Sequence, residues 1–239
     1  MKIRTPRYKQ AVAKVNRTEV HDPVTAFETI KAASNAKFDE TIDIALQLGV
    51  DPRHGDQMVR GITTLPFGTG RKRRVAAFAK GDKAKDAEEA GADIVGAEDL
   101  IQKIQGGWRE FDVLIATPDM MPILGRSLGR VLGPKMPSPK SGTVTQDIGR
   151  AIRDIKQGAQ VEYRVEKAGI VHAPIGKVSF PTENLAANLG ALIQAILRAR
   201  PASAKGQYLK GMTVSSTMGP GLKVDPSRAA ALAEHQRQH

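Results

Sequence analysis

The chain has 239 residues, 41% of them hydrophobic, which is enough for one large folded domain or two ordinary ones. Lys and Arg number 36 against 25 Asp and Glu, so the net charge of +11 favours a polyanionic partner, nucleic acid rather than a membrane surface. The absence of cysteine excludes disulfides, thiolate metal sites and cysteine nucleophiles, and no apolar run is long enough for a bilayer span or a secretory signal.

The N-terminal part of the chain predicts one helix and two strands. Asp22-Pro23 provides an N-cap and a first-turn proline, and apolar residues at helical spacing continue the pattern to about Ser34. From Ile42 to Leu48, apolar residues alternate with polar ones, which is typical of a strand with one buried face. Residues 58–65 predict a second strand, antiparallel to the first if the turn between them is tight.

The pattern changes after the break at residues 66–70. Short apolar strands at 75–78, 93–96 and 112–117 alternate with helices, the last of which begins at Asp147 and ends at Gly158. This alternation predicts parallel strands with helices on the faces of the sheet.

Antiparallel features return from residue 159. Apolar and polar residues alternate over residues 160–166, which predicts a strand. A helix is predicted from Thr182 towards Pro201, and a further strand over residues 208–216. The tail after Pro226 is predicted to fray. The segments before and after the central block are each too small to bury much surface alone. We therefore predict an α/β protein of two domains. A split α+β domain combines residues 1–67 and 159–239, and residues 68–158 form the domain inserted between them.

Catalytic and metal-binding motifs are not evident in the sequence. The stretch from Gly68 to Arg74 lacks the spacing of a phosphate-binding loop and precedes a strand instead of following one. The five histidines show no zinc-type pairing, and no serine stands in a nucleophile-elbow motif. We therefore predict no enzyme activity, no metal and no cofactor. A nucleotide-dependent enzyme built on the central block remains the alternative.

Two distant stretches suit the recognition of folded RNA. Lys37-Phe38 places a cation beside an aromatic ring, although a lone Phe is more often a plug for the core. Thr217-Met218-Gly219 offers a hydroxyl, a flexible apolar side chain and close backbone approach. Side by side, these stretches would form an apolar patch with hydrogen-bonding edges. His172, in a loop with Lys167, is equally consistent with a phosphate donor and with a structural histidine.

Many motifs in order across the chain resemble the bacterial ribosomal protein L1 family. They are Lys37-Phe38-Asp39-Glu40-Thr41, Leu48-Gly49-Val50-Asp51-Pro52-Arg53, Val59-Arg60-Gly61, Ala87-Glu88-Glu89-Ala90-Gly91-Ala92-Asp93, Ala116-Thr117-Pro118-Asp119, Leu132-Gly133-Pro134, His172-Ala173-Pro174 with Gly176-Lys177, and Ser216-Thr217-Met218-Gly219-Pro220.

The resemblance implies a fold, a function and a set of partners. The inserted domain would be a Rossmann-like three-layer α/β/α domain, and the split domain would carry the main RNA site. The protein would bind the stalk helices of large-subunit rRNA near the tRNA exit site, take part in release of deacylated exit-site tRNA and repress its own operon by binding the mRNA leader. It would be monomeric when free, without a membrane partner, and located on cytoplasmic ribosomes.

The same resemblance implies which residues contact RNA. They are Arg7, Lys9, Lys37, Phe38, Glu40, Thr41, Lys167, His172, Thr217, Met218 and Gly219. Two departures from the family pattern bear on these expectations. The loop from Gly133 to Lys140 is shorter than usual, and the basic start of the chain is reduced to Pro6-Arg7-Tyr8-Lys9. Binding of polyanions in general, without selectivity, is the remaining alternative.

Overall fold

The computed structural model describes residues 5–16, 18–71, 73–156 and 158–235. The helices among them are α1 (Pro6–Ala13), α2 (Pro23–Ala33), α3 (Asp82–Glu89), α4 (Glu98–Gln105), α5 (Met121–Leu132), α6 (Ile148–Lys156), α7 (Thr182–Arg198) and α8 (Pro226–His235). The strands are β1 (Val20–His21), β2 (Thr41–Leu48), β3 (Arg60–Thr64), β4 (Val75–Phe78), β5 (Ile94–Gly96), β6 (Val113–Ala116), β7 (Gln160–Arg164), β8 (Ile170–Lys177), β9 (Leu209–Ser216) and β10 (Leu222–Val224). The predicted mixed α/β class is confirmed.

The chain divides into two compact units. Unit 1 comprises Met1–Gly70 and Gln160–His239, so it draws on both flanks of the sequence. Unit 2 comprises Arg71–Ala159. Each unit has its own sheet structure and its own hydrophobic core.

Unit 1 is built on a five-stranded sheet in the order β1-β10-β9-β2-β8. The predicted strand from Ile42 to Leu48 is confirmed as β2, which pairs antiparallel with β8 on one side and β9 on the other. Its residues alternate as the pattern required: Ile42, Ile44 and Leu46 are buried, and the residues between them are partly exposed. The buried face shares one core with Phe27 of α2 and with α7.

Strand β3 does not pair with β2, so the antiparallel pairing that was expected for a tight turn does not form. The structure pairs β3 with β7 in a separate two-stranded antiparallel sheet, in which Ile62 lies opposite Glu162. Two physical reasons explain the difference. The connection after Leu48 contains a helical turn at Gly55–Gln57, so it is not a tight turn. Both edges of β2 are also already occupied by β8 and β9.

Two terminal helices were not predicted. No element was expected before Asp22, yet α1 forms there with Pro6 in its first turn. The segment after Pro226 was expected to fray, but it forms α8 and buries Ala229 in the core of unit 1. The Asp225 carboxylate accepts the Ser227 N–H at 2.8 Å, which caps the new helix. The last residues of that predicted tail, 236–239, lie outside the described part of the chain.

Unit 2 contains a parallel three-stranded sheet in the order β5-β4-β6. All four residues of β4 are buried, because both faces of the sheet are covered. Ala76 and Phe78 pack with α4 and α5 on one face. Val75 and Ala77 pack with α3 and α6 on the other. The predicted strands and helices of the central block therefore pack in three layers.

The side chain of Asn188, on α7, anchors the segment that follows β3 to the rest of unit 1. Its side chain is fully buried, and its Oδ1 accepts the Phe67 N–H at 3.0 Å. Its Nδ2 donates to the carbonyls of Gly68 and Ile175, both at 2.8 Å. One buried amide thus satisfies three backbone groups from two separate segments, which fixes the path of the chain as it leaves β3.

We predict that Asn188→Leu lowers the free energy of unfolding of unit 1 by about 2–4 kcal/mol, because a similar volume replaces the partner of three buried backbone groups. Urea unfolding can be followed by the fluorescence of Tyr163 and Tyr208, both buried in unit 1. The single tryptophan, Trp108, reports on unit 2 in the same sample. Asn184→Leu, at a partly exposed position one turn earlier on α7, is the control and should change stability little. Equal effects of the two substitutions would contradict the anchoring role.

Candidate nucleic-acid interface

Phe38 does not plug the core. It lies between α2 and β2 with 54% of its surface exposed, so the alternative of a core phenylalanine is wrong. Lys37 beside it is also exposed, and forms no ion pair with any described residue. The sequence therefore presents an aromatic ring and a cation together at the start of β2.

The turn between β9 and β10 contributes a second exposed apolar side chain. The turn follows Ser216, and the Met218 side chain is 47% exposed, whereas Ser216 itself is buried. Gly219 closes the turn by donating its N–H to the Ser216 carbonyl at 3.1 Å. Thr217 lies exposed at its start.

Hydrogen bonds join these two stretches, which lie far apart in the sequence. The Thr217 N–H donates to the Thr41 carbonyl at 3.0 Å, and the Thr41 N–H donates to Thr217 Oγ1 at 3.0 Å. One residue further on, the Met218 N–H donates to Glu40 Oε2 at 2.9 Å. Since Phe38 is only two residues from Glu40, the structure brings the aromatic and the methionine to the same end of the sheet.

Glu40 differs from the other predicted RNA contacts because its side chain is buried, with only 1% of its surface exposed. Burial alone would raise the pKa of this carboxyl. Hydrogen bonds from Ser34, Met218, Ser216 and Ala36 outweigh burial, so the pKa of Glu40 lies below its ordinary value. The group is therefore an internal carboxylate and not part of the exposed surface.

Helix α1 brings a further cation to this end of the sheet. Arg7 lines a cleft of about 220 Å³ together with Thr5, Tyr8 and Met218. The Asn35 side chain donates to the Arg7 carbonyl at 3.3 Å, which ties α1 to the segment that carries Phe38. Lys9 follows on the same helix and is exposed.

Lys177 belongs to the same surface and was not among the predicted contacts. It lies opposite Thr41 in the β2–β8 pairing. Its Nζ donates to Thr41 Oγ1 at 3.0 Å and to the Asp39 carbonyl at 3.3 Å. In the sequence, Lys177 appeared only as part of the Gly176-Lys177 motif of the family resemblance, which shows nothing of its cross-strand neighbour.

His172 lies midway along the sheet, opposite Ala45 of β2. It is exposed, and its Nε2 is 3.2 Å from Glu166 Oε1. On the other side of Ala45 lies Thr213 of β9. A shallow cleft of about 380 Å³ runs over this face, lined by residues that include Ala45, Thr213 and Lys223. The face opposite the core is therefore open, with small residues at Ala45, Gly211 and Thr213 and longer side chains such as Gln47, Lys210 and Lys223 around them.

Lys167 lies at the far end of the sheet from Phe38. It precedes β8, whose first residue pairs with Gln47, so it is near the last residues of β2. Since β2 has eight residues, its two ends are separated by about 23 Å. The structure therefore does not bring Lys167 together with the Thr41–Thr217 end.

A second basic surface surrounds Lys167. Arg53 and Arg164 line a cleft of about 650 Å³ with it, and the rest of the lining consists of Pro52, Met58, Val165 and one acid, Glu166. Both arginines are exposed, and neither forms an ion pair with a described residue. Neither was predicted, because arginines scattered through loops and strands give no sign in the sequence that they converge.

Unit 2 offers little support for the alternative of a nucleotide-dependent enzyme. Ligands of open parallel sheets bind beyond the carboxyl ends of the strands. Ion pairs occupy this edge, with Lys80 Nζ 3.0 Å from a Glu98 oxygen and Lys83 Nζ 3.8 Å from an Asp119 oxygen. Within the described ranges, no three His, Asp or Glu side chains converge as metal ligands would.

An open sheet end with an exposed ring, a methionine and cations at its border has the chemistry of a nucleic-acid-binding surface. Residues 30–220 match the sequence profile of the Ribosomal protein L1p/L10e family. Because this match covers well over half of the chain, the protein belongs to that family. The family consists of structural, non-enzymatic proteins of the large ribosomal subunit that bind rRNA. Of the helices that the structure describes, none combines the length and the apolar character that a membrane crossing requires.

The lowered pKa of Glu40 predicts a pH dependence of stability. A carboxyl whose pKa is lower in the folded state stabilises the fold above its unfolded pKa of about 4.3, and the contribution is lost as pH falls through the folded pKa. The difference in unfolding free energy between the wild type and Glu40→Gln should thus be largest near neutral pH and shrink below about pH 4. Urea titrations between these limits measure it. Glu28→Gln, at an exposed position of α2, is the control; a difference for Glu40→Gln that does not vary with pH would contradict the assignment.

Proposed function

We propose that the chain binds the stalk helices of large-subunit rRNA through the end of the unit 1 sheet where Thr41 meets Thr217. The observation that carries this proposal is the pair of hydrogen bonds between Thr41 and Thr217, which brings the exposed Phe38 and Met218 to the same end of the sheet. An exposed ring and a flexible thioether provide stacking and apolar contact with unpaired bases and sugars.

Cations around this patch would supply the affinity. Arg7, Lys9 and Lys37 are placed to contact phosphates, which attract positive charge irrespective of base sequence. The small side chains of the open face, including Ala45 and Thr213, allow a sugar-phosphate backbone to approach the sheet closely. His172 on this face is a further donor within reach of such a backbone. The arrangement suits recognition of RNA shape more than of base identity.

The same surface of unit 1 is also suited to binding messenger RNA. A surface that reads the fold of an RNA junction also binds any other RNA that presents the same fold. We therefore propose that the protein represses its own operon by binding a leader in the mRNA that resembles the stalk. Unoccupied rRNA would compete for the same residues, so repression would begin only when free protein exceeds free rRNA.

The second basic surface is the candidate contact for exit-site tRNA. Arg53, Arg164 and Lys167 lie near the opposite end of β2, a strand about 23 Å long, so the two surfaces could each hold a separate RNA segment. We propose that this surface contacts tRNA while the other end of the sheet holds rRNA. Contact of this kind would couple movement of the stalk to release of deacylated tRNA. Unit 1 would then be the RNA-binding domain and unit 2 the inserted domain.

We predict that Thr217→Val and Phe38→Ala each weaken binding to an rRNA fragment containing the stalk helices by about 1–3 kcal/mol. The first change removes the acceptor of the Thr41 N–H, and the second removes a stacking surface. Gel-shift titration measures both. Val24→Ala, at an exposed apolar position of α2, should leave affinity unchanged.

The same titration separates this proposal from binding of polyanions in general. With increasing salt, the wild type should keep its preference for the stalk fragment over a random RNA duplex, whereas a generic binder loses both together. Arg53→Ala and Arg164→Ala should leave stalk affinity nearly unchanged but weaken binding of deacylated tRNA. If unaltered stalk affinity were found for both Thr217→Val and Phe38→Ala, the site would have to lie elsewhere.

A further inference from the structure

A buried carboxylate connects the two stretches of the predicted RNA surface. Glu40 Oε1 accepts the Ser34 hydroxyl at 2.7 Å and the Ala36 N–H at 3.3 Å. Its Oε2 accepts the Met218 N–H at 2.9 Å, and the Ser216 hydroxyl is a further donor to the group. Donors therefore reach Glu40 both from the segment before β2 and from the turn after β9.

These contacts leave Glu40 unsuited to direct contact with RNA. The side chain is only 1% exposed, and both of its oxygens are occupied by donors of the protein itself. Among the described residues it has no ion-pair partner, and the charge is stabilised there by hydrogen bonds. A negative group at the surface of an RNA site would in any case repel phosphates.

Gly219 shows how tightly the turn is built around this carboxylate. A Cβ added to Gly219 would collide with the Ser216 hydroxyl oxygen. Ser216 could relieve the collision only by rotating its hydroxyl away, and rotation would change a donor to Glu40. The backbone of Gly219 is not in the left-handed region, so the need for glycine here is one of space.

We propose that Glu40 is a positioning residue, which holds the Phe38 segment and the Met218 turn in the arrangement that RNA recognises, without touching RNA itself. This inference rests on the proposed RNA-binding function of the same surface. It assigns to Glu40 a role different from the direct contact that the family resemblance implies.

For Glu40, charge alone and a positioning role predict opposite changes in RNA affinity when the carboxylate is neutralised. If Glu40 were an exposed acid near RNA, its neutralisation in Glu40→Gln would strengthen binding to a polyanion. As a positioning residue, its neutralisation weakens binding, because an amide nitrogen has to face at least one of the N–H or O–H donors. Glu28→Gln makes the same chemical change at an exposed position and serves as the matched control.

The experiment has one arm without RNA and one arm with it. In the free protein, nuclear magnetic resonance should show that Glu40→Gln shifts the amide resonances of Ala36 and Met218 and leaves those of unit 2 unchanged. In titrations with the stalk fragment, Glu40→Gln should weaken binding roughly tenfold, whereas Glu28→Gln should bind equally well or slightly more tightly. In a Phe38→Ala, Met218→Ala background, the loss caused by Glu40→Gln should fall below about twofold, because the group acts through the two segments that carry these side chains.

The outcomes are distinguishable. Shifted amide resonances together with unchanged or tighter RNA binding by Glu40→Gln would overturn the positioning role and leave the proposed function intact. Failure of the wild type to prefer the stalk fragment over a random duplex would overturn the proposed function itself. Ser34→Ala, which removes a single donor to Glu40, covers the case in which Glu40→Gln does not fold; a smaller loss of affinity supports the proposal, and no loss contradicts it.

Discussion

The pairing of β2 with β9 is the constraint on which the rest of unit 1 depends. Burial of Ile42, Ile44 and Leu46 fixes which face of β2 points to the core. A slip of one residue against β9 would turn these side chains to the open face, so hydrophobic burial also fixes the register. That register sets Ile42 opposite Ser216 and thereby places Thr41 beside Thr217. The binding surface is therefore specified by the core and not only by the residues on it.

The same sheet separates two kinds of basic surface. At one end, cations border an exposed ring and a methionine. At the other, Arg53, Arg164 and Lys167 line a cleft with one acid, Glu166, and no aromatic side chain belongs to its lining. This difference in chemistry is consistent with one end recognising a folded junction and the other making weaker, mainly electrostatic contact with a second RNA. The buried carboxylate of Glu40 belongs to the first end alone, where precise placement of two segments matters most.

Local sequence patterns predicted the elements well where burial alternates cleanly. The strand of Ile42, the parallel block of unit 2 and the helix after Asp22-Pro23 all follow from spacing. The same Asp-Pro signal recurs at Asp225-Pro226 and begins α8, but it was outweighed by the composition of the tail, which is rich in Ala, Gln and His. The pairing of β3 depended on which strand had a free edge, and its partner β7 lies about a hundred positions away in the sequence.

The site was harder to predict than the fold because its residues meet through long-range pairing. Resemblance to a family indicated Thr217 and Met218, but Lys177 became visible only through its position opposite Thr41. A signal for the burial of Glu40 was nevertheless present. Glu40 precedes Ile42 and Ile44 at the two-residue spacing of a strand, so its side chain points to the same face, towards the core. The side chain of an acid at an inward position needs donors, and these came from a segment that no local pattern could identify.

The most direct test of the central claim is a double-mutant cycle on Phe38→Ala and Met218→Ala, with binding to the stalk RNA fragment as the readout. If the two side chains form one surface through the β2–β9 pairing, the effects should be non-additive, with a coupling free energy of about 1 kcal/mol. Strictly additive losses would show that the two residues contact RNA independently, and would contradict the account.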